Sequence, residues 1–364
     1  MCLRQLSISI AKHSEPLLGK LWGVADAEEP FDPLQLTRSA SLNQTVITHP
    51  VAGPGVLGRT AGELCSRDAL AKMALEGQAL SRASPHRVAD QLGHALRSVK
   101  ARARSEAVLR EFGRRLGALI ATLTQGPGLT ETAAYRRAYL SHWSQVEAVS
   151  LAGGLLASGT ATDIVYGAEE VLHQAHVAQP VRVLPWAPYA SLLGAARLAS
   201  PGDRPVIVAD LGHTKIKTAM AIIHGRVITR LADRRSTAAP EHPDEAVPKV
   251  LRAVTAAFSL ARDSPSLCEV LTFSVASYVQ DGLPVEDGRR VYSKLGRHLG
   301  DLEANLAAET GRPVRVRFVH DGTAAAVGAD EGRPGGVITL GSRLAVGFTP
   351  TFTGLLDLSP TLFL

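Results

Sequence analysis

Two stretches place a carboxylate at the end of an apolar run and follow it with a turn of small residues. In the first, Val206-Ile207-Val208-Ala209 leads into Asp210-Leu211-Gly212-His213-Thr214-Lys215. The unbroken apolar run has the pattern of a buried strand. A carboxylate beside glycine and threonine in a tight turn suits a polyphosphate and its metal ion. Glycine lets backbone N–H groups approach phosphate, the threonine hydroxyl donates to it, and Asp210 could hold Mg²⁺ through water. An ordinary hairpin with an exposed aspartate has the same local pattern, so the chemistry depends on what stands opposite. In the second stretch, alternation over residues 313–319 predicts a strand that delivers His320-Asp321-Gly322-Thr323 to a helix beginning near Ala324. Asp321 then sits where a strand meets a helix N-terminus, the usual place for a catalytic group in an α/β fold. The helix dipole favours its ionised form.

Two more glycine turns follow strand-like runs. Residues 146–156 run into Gly153-Gly154, a pair that would let the chain pass flat against a planar ligand such as adenine. Residues 335–343 end in Gly341-Ser342-Arg343, and residues 345–349 return as a hairpin partner.

The elements that must position these turns are legible over most of the chain. Residues 215–223 and 226–228 continue the first stretch as strands, with His224-Gly225 as the turn. Strands are also expected at 180–183 and 269–276, and less clearly at 6–10 and 44–48. Helical spacing marks 162–174, 189–198, 246–261, 299–310 and a short stretch at 131–140. Earlier in the chain, Ser66-Arg67-Asp68-Ala69 opens one helix, with Leu70, Met73 and Ala74 on one face. Ser84-Pro85 is an N-cap with proline at the first helical position, opening a segment to about Arg104. Gly126-Pro127-Gly128 closes an apolar stripe that runs from Val108 to Ile120. Arginines crowd the other face of that stripe (Arg102, Arg104, Arg110, Arg114, Arg115), which is read as a solvated helix face before a nucleic-acid patch.

A chain of 364 residues, 45% hydrophobic and 20% charged, has the composition of a globular protein of about two domains. Its net charge of +5 permits anionic ligands without demanding nucleic acid, and nucleic-acid binding is disfavoured because aromatic and basic residues do not alternate. Cys2, Cys65 and Cys268 form no CxxC pair, which argues for a reducing compartment and against structural zinc. No long apolar run suggests a signal peptide or membrane span, so the expected location is cytoplasmic.

Together the four turns resemble the actin-like ATPase and sugar kinase superfamily, and within it the ROK branch of glucokinases and N-acetylhexosamine kinases. Asp210-Leu211-Gly212-His213-Thr214-Lys215-Ile216-Lys217 resembles that family's first phosphate motif, DIGGTKIK. Residues 313–329, PVRVRFVHDGTAAAVGA, resemble the segment bearing the catalytic aspartate. Ile338-Thr339-Leu340-Gly341-Ser342 resembles the second phosphate motif. Residues 149–155 with Leu193-Gly194-Ala195-Ala196 resemble the adenosine motif and its hinge helix, and residues 62–70 faintly resemble a substrate-side segment that would include Glu63.

The resemblance implies two ribonuclease H-like α/β domains about a cleft, with ATP and Mg²⁺ as cofactors and a sugar or polyol as acceptor. Asp321 would be the general base, and Asp210 the residue holding Mg²⁺ through water. Gly212, Thr214, Lys215, Gly341 and Ser342 would bind the phosphates, and Gly153 and Gly154 would flank adenine. His320 and Glu63 would face the substrate. A homodimer is compatible with such a family. The motifs stand in a displaced order, which one circular permutation explains: the cut falls after the second phosphate hairpin, and Ser200 to Arg204 joins the old ends. On that basis residues 1–190 and 335–364 form the nucleotide-side domain, and 191–334 the domain of the first phosphate motif and catalytic aspartate. His213 stands for the family's second glycine, Ser342-Arg343 for Thr-Gly, and His320 for asparagine; the zinc cysteines and the GExGH sugar clamp are absent. A degenerate pseudokinase that binds sugar or regulates is the alternative reading, and an ATPase activator or carbamoyl-transfer relative a third.

Overall fold

In the computed structural model, residues 31–125, 133–260, 267–286 and 290–362 are described. The expected strand at 6–10 and the Gly126-Pro127-Gly128 break lie outside them. In chain order the elements are α1 (Ala61–Cys65), α2 (Arg67–Glu76), α3 (Val88–Leu96), α4 (Arg102–Thr124), α5 (Ala134–Trp143), β1 (Ala148–Ala152), α6 (Ala161–Gln174), β2 (Val181–Val183), α7 (Ala190–Arg197), β3 (Val206–Leu211), β4 (Lys215–His224) and β5 (Val227–Ala238). They continue with α8 (Ala246–Leu260), β6 (Val270–Val275), β7 (Val279–Gln280), β8 (Leu283–Pro284), α9 (Leu299–Thr310), β9 (Arg315–His320), α10 (Asp321–Ala329), β10 (Gly335–Leu340), β11 (Leu344–Thr349) and β12 (Asp357–Leu358).

The fold is α/β, built on two main sheets. The larger has the order β12-β5-β4-β3-β6-β9, the smaller β11-β10-β1-β2, and β7 and β8 form a separate short ribbon. In the larger sheet β3, β4 and β5 form an antiparallel meander, while β6 and β9 lie parallel to β3. All six residues of β3 are buried, as its continuous apolar run requires. In the smaller sheet β1 pairs in parallel with both β10 and β2. Antiparallel strands can be joined by tight hairpins, but parallel neighbours need a crossover, which here passes through helices. The functional turns follow the carboxyl ends of β1, β3, β9 and β10. That is where open α/β sheets bind ligands.

Helices α7 and α10 pack face to face beside the two sheets. Their approach is set by two glycines: a Cβ on Gly194 would collide with the Ala324 carbonyl, and one on Gly328 with the Ala190 carbonyl. The small residues read as a close-packing helix do pack that way. The Ser191 hydroxyl donates to the Asp321 carbonyl at 3.1 Å, which fixes the start of α10 against α7.

Helix α4 lies against α6, with Gly113, Gly117 and Gly167 allowing backbone-close contact. Four of its arginines are ion-paired, Arg110 with Asp163, Arg114 with Glu170, Arg102 with Glu106 and Arg115 with Glu111, while Arg104 donates to the Gln78 carbonyl. Two expectations fail. Residues 44–48 do not form a strand; Leu42–Gln44 is a 3₁₀ turn and only Val46 bridges, to Thr60. The Asn43 side chain explains this, since its amide donates to the Leu344 carbonyl and accepts from the Leu344 N–H, drawing the segment onto β11. The helix opened by Ser84-Pro85 is a 3₁₀ turn followed by α3, and it ends at Leu96 rather than near Arg104. The strand β12 pairs in parallel with β5 of the larger sheet. No described helix is long and apolar enough to cross a membrane.

Candidate active site

The hairpin register decides what Asp210 touches. Asp210 stands opposite Lys217 on β4 and Ser274 on β6. Cross-strand neighbours share a face of the sheet, so both side chains meet the carboxylate. Lys217 Nζ lies 3.0 Å from Asp210 Oδ2, and the Ser274 hydroxyl donates to Oδ1 at 3.1 Å. Lys217 also donates to the Pro188 carbonyl at 2.9 Å. The aspartate is thus a buried carboxylate with an ammonium already against it.

The Gly212 N–H donates to the Lys215 carbonyl at 3.1 Å and closes the turn. Its carbonyl accepts from the Tyr292 hydroxyl at 3.0 Å. Lys215 is exposed at the turn's end.

Asp321 is the first residue of α10, and His320 is its N-cap. The Thr323 N–H donates to His320 Nδ1 at 3.4 Å. Nδ1 is therefore an acceptor, and the ring carries its proton on Nε2. That nitrogen lies 3.2 Å from Asp321 Oδ1, placed to donate to it. The Asp321 carboxylate also accepts from the Gly322 N–H at 2.9 Å. Burial raises the Asp321 carboxyl to about 6; the nearby His213 pulls it down and Asp210 pushes it up. Burial and the positive charge of Arg290 hold His320 down at about 3, so it is neutral at pH 7. Tyr278 stacks on the His320 ring, with centroids 5.2 Å apart, and Arg290 lies over the other ring at 4.4 Å. His213 is held below its ordinary pKa, first by burial.

In the smaller sheet, Gly153 has φ +103°, a backbone conformation that favours glycine, and a Cβ there would strike the Leu340 backbone. Glycine is thus needed at Gly153 by the approach of β10, before any ligand is considered. A Cβ on Gly154 or Gly341 would meet only ordinary contacts, with Arg67 Nη2 at 3.9 Å and the Arg343 carbonyl at 3.5 Å.

One cleft of about 760 Å³ collects these groups. It is lined by Asp210, Gly212, Thr214 and Lys215 from the larger sheet, by Gly153, Gly154, Gly341 and Ser342 from the smaller, and by Asp321 at the junction. A volume of that order holds a drug- or nucleotide-sized ligand. His320 lines a small adjoining hollow shared with Asp321, His213 and Arg343. Glu63 lies outside both: it is exposed and holds the Thr60 N–H and hydroxyl in a capping box of α1, at 2.9 and 2.8 Å. The expected substrate role for Glu63 therefore has no place in the cleft; the residue stabilises a helix start.

Lys217 closes the first motif but carries no role in it; a hairpin register drawn from the turn sets it opposite Asp210. Arg67, the first residue of α2, had no local signal. Its N–H donates to the Gly341 carbonyl at 3.1 Å and its guanidinium to the Thr214 hydroxyl at 3.2 Å.

The carboxylates suit a metal only in part. Asp210 Oδ2 is paired with Lys217, and among the described residues no cluster of three or more metal-ligating side chains occurs. Mg²⁺ is commonly held by one or two carboxylates together with waters and substrate phosphates, and Asp210 and Asp321 fit that looser requirement.

The chain matches no family model and no curated protein. Among solved structures it is similar to an inorganic polyphosphate/ATP-glucomannokinase from Arthrobacter sp. strain KM, at 22% identity over 42% of this chain and 61% of that one, with a TM-score of 0.30. A ROK hexokinase from Thermus thermophilus aligns at 20% identity over 38% and 47%, with a TM-score of 0.24. The ethanolamine utilization protein EutJ from Carboxydothermus hydrogenoformans aligns at 11% over 61% and 73%, with a TM-score of 0.28. The chain thus spans less than two thirds of the length of the first two. At these scores the likenesses carry no functional weight, and the site is read from its own geometry.

Proposed function

We propose that the protein transfers the γ-phosphoryl group of ATP to a hydroxyl of a sugar or related polyol, with Asp321 as general base. The observation that carries this reading is the convergence of Asp321 with both glycine-turn pairs on one cleft. In the reaction, the acceptor oxygen attacks the γ-phosphorus and the bond from that phosphorus to the β,γ-bridging oxygen breaks. The acceptor's proton passes to Asp321, and ADP leaves. Such transfer depends on positioning and charge neutralisation more than on covalent chemistry. Above pH 6 Asp321 is ionised and able to accept the proton. Neutral His320 holds Oδ1, leaving Oδ2 for the acceptor hydroxyl.

Gly212, Thr214 and Lys215 would meet the phosphates from one side, Gly341 and Ser342 from the other, and Gly153 and Gly154 would border the adenine. Mg²⁺ bound with the nucleotide would neutralise phosphate charge, and Asp210 would hold it through water.

The same reading takes the chain as a permuted relative of ROK kinases. It is supported by the pairing of β1 with β10, which brings the adenosine-like and second phosphate-like strands side by side despite their distance in sequence. We group residues 1–190 and 335–364 as the nucleotide-side domain, apart from β12, and 191–334 as the other. A degenerate pseudokinase is the second reading, favoured by the Lys217 ammonium at Asp210, where a metal would have to compete.

Calorimetry with Mg·ATP, followed by phosphorylation of a sugar panel by wild type and Asp321→Asn, tests both. Absence of ATP binding would sink the kinase reading. Binding without turnover on any polyol supports the pseudokinase. Turnover unaffected by the substitution would remove Asp321 from its role.

A further inference from the structure

Arg67 reaches three of the glycine turns of the cleft. Its backbone N–H is bonded to Gly341, its Nη1 to Thr214, and its Nη2 lies against the face of Gly154, 3.9 Å from where a Cβ would stand. The side chain is partly buried, and among the described residues it makes no ion pair. Burial lowers its pKa first of all, and the charges of Asp68 and Asp90 offset this in part. A guanidinium drawn into a cleft without a carboxylate partner is an expensive arrangement unless an anion arrives. Arg343 stands on the opposite turn, exposed and likewise without an ion pair among the described residues, and Lys215 ends the first turn.

Phosphate is the anion this geometry fits. A guanidinium presents a planar fork of five donors, of which Arg67 spends one on Thr214. The Thr214 hydroxyl, accepting from Arg67, keeps its own proton to donate. The guanidinium lines the same cleft as Gly154, Gly212, Thr214 and Gly341, and a Cβ at Gly154 would stand against it.

We propose that Arg67 is a phosphate-binding residue, the cation that receives a linear polyphosphate chain where the three turns converge, with Arg343 and Lys215 at its flanks. This deepens the phosphotransfer reading, on whose nucleotide site it rests, by adding a side-chain cation to the turns that would meet the phosphates.

The test is calorimetry of wild type, Arg67→Lys and Arg67→Ala with three probes: Mg·ATP, inorganic tripolyphosphate and adenosine. Thermal melting confirms folding of each variant. The expected result is a loss of tenfold or more in tripolyphosphate and ATP affinity in Arg67→Ala, a smaller loss in Arg67→Lys, and unchanged adenosine binding. A steeper salt dependence in wild type than in Arg67→Ala completes the expected pattern. Equal tripolyphosphate affinity in wild type and Arg67→Ala overturns the inference, as does parallel loss of all three probes, which marks a residue that only ties the turns together. The two readings fail separately: wild type that binds tripolyphosphate through Arg67 but never phosphorylates a polyol keeps this site and loses the kinase, while a working kinase indifferent to Arg67 does the reverse.

Discussion

His320 Nε2 sits 3.2 Å from Asp321 Oδ1 while its Nδ1 caps the helix that Asp321 begins. One ring therefore orients the carboxylate and anchors its helix, and its burial keeps it neutral. With Asp321 raised to about 6 by burial, activity as a phosphotransferase should fall as pH drops through about 6, with a single-proton acid limb in kcat/KM. Asp321→Asn should lower kcat by about 10²–10⁴-fold with little change in ATP affinity.

Stability should follow pH in two opposed ways at the same spot. His320 is depressed from 6.5 to about 3, so it contributes stability above 6.5 that is lost as pH falls toward 3. Asp321 is raised from 3.8 to about 6, so its contribution is full below 3.8 and lost as pH rises through 6. His320→Asn keeps a capping acceptor and removes the His320 dependence. Urea midpoints between pH 4 and 7 should rise less steeply with pH in that variant than in wild type; a parallel curve would remove His320 from the account.

Lys217 and Asp210 offer a separate handle. Lys217→Met leaves Asp210 buried with only Ser274, which should destabilise the protein by about 3 kcal/mol. It also leaves the carboxylate free for a cation. Mg²⁺ should then raise the melting temperature of the variant more than that of wild type. An equal shift in both would show that Asp210 does not meet the metal.

The contact of α7 with α10 admits no side chain at Gly194. Gly194→Val should cost about 3 kcal/mol or more, since the branched side chain would be driven into the Ala324 carbonyl. Chemical denaturation measures it, and a loss below about 1 kcal/mol would mean that the two helices separate easily.

Much of this architecture was legible before any coordinates. The hairpin of β3 and β4, the strand β9 delivering Asp321 and the strand β10 ending at Gly341 all have patterns that local physics dictates, apolar runs closed by turn residues. What escaped was long-range. The segment before the expected strand at 44–48 is drawn onto β11 through Asn43 and Leu344, far along the chain, and Arg67 is joined to Thr214 across about half that separation. Glu63 reads two ways in one sequence, because a capping box and a substrate carboxylate look the same there, and the structure places it in the capping box.

The pairing of β1 with β10 has a consequence for how the chain assembles. Almost the whole larger sheet lies between these two strands in sequence, so β1 has no partner on the β10 side until that sheet has been made. Pairings of such wide separation form late, because loop-closure entropy is spent before they reward it. On a ribosome, β1 and β2 would emerge as an incomplete edge while β3 to β9 close on themselves first. The smaller sheet, and with it the turns at Gly153 and Gly341, should be the last part of the cleft to mature during synthesis.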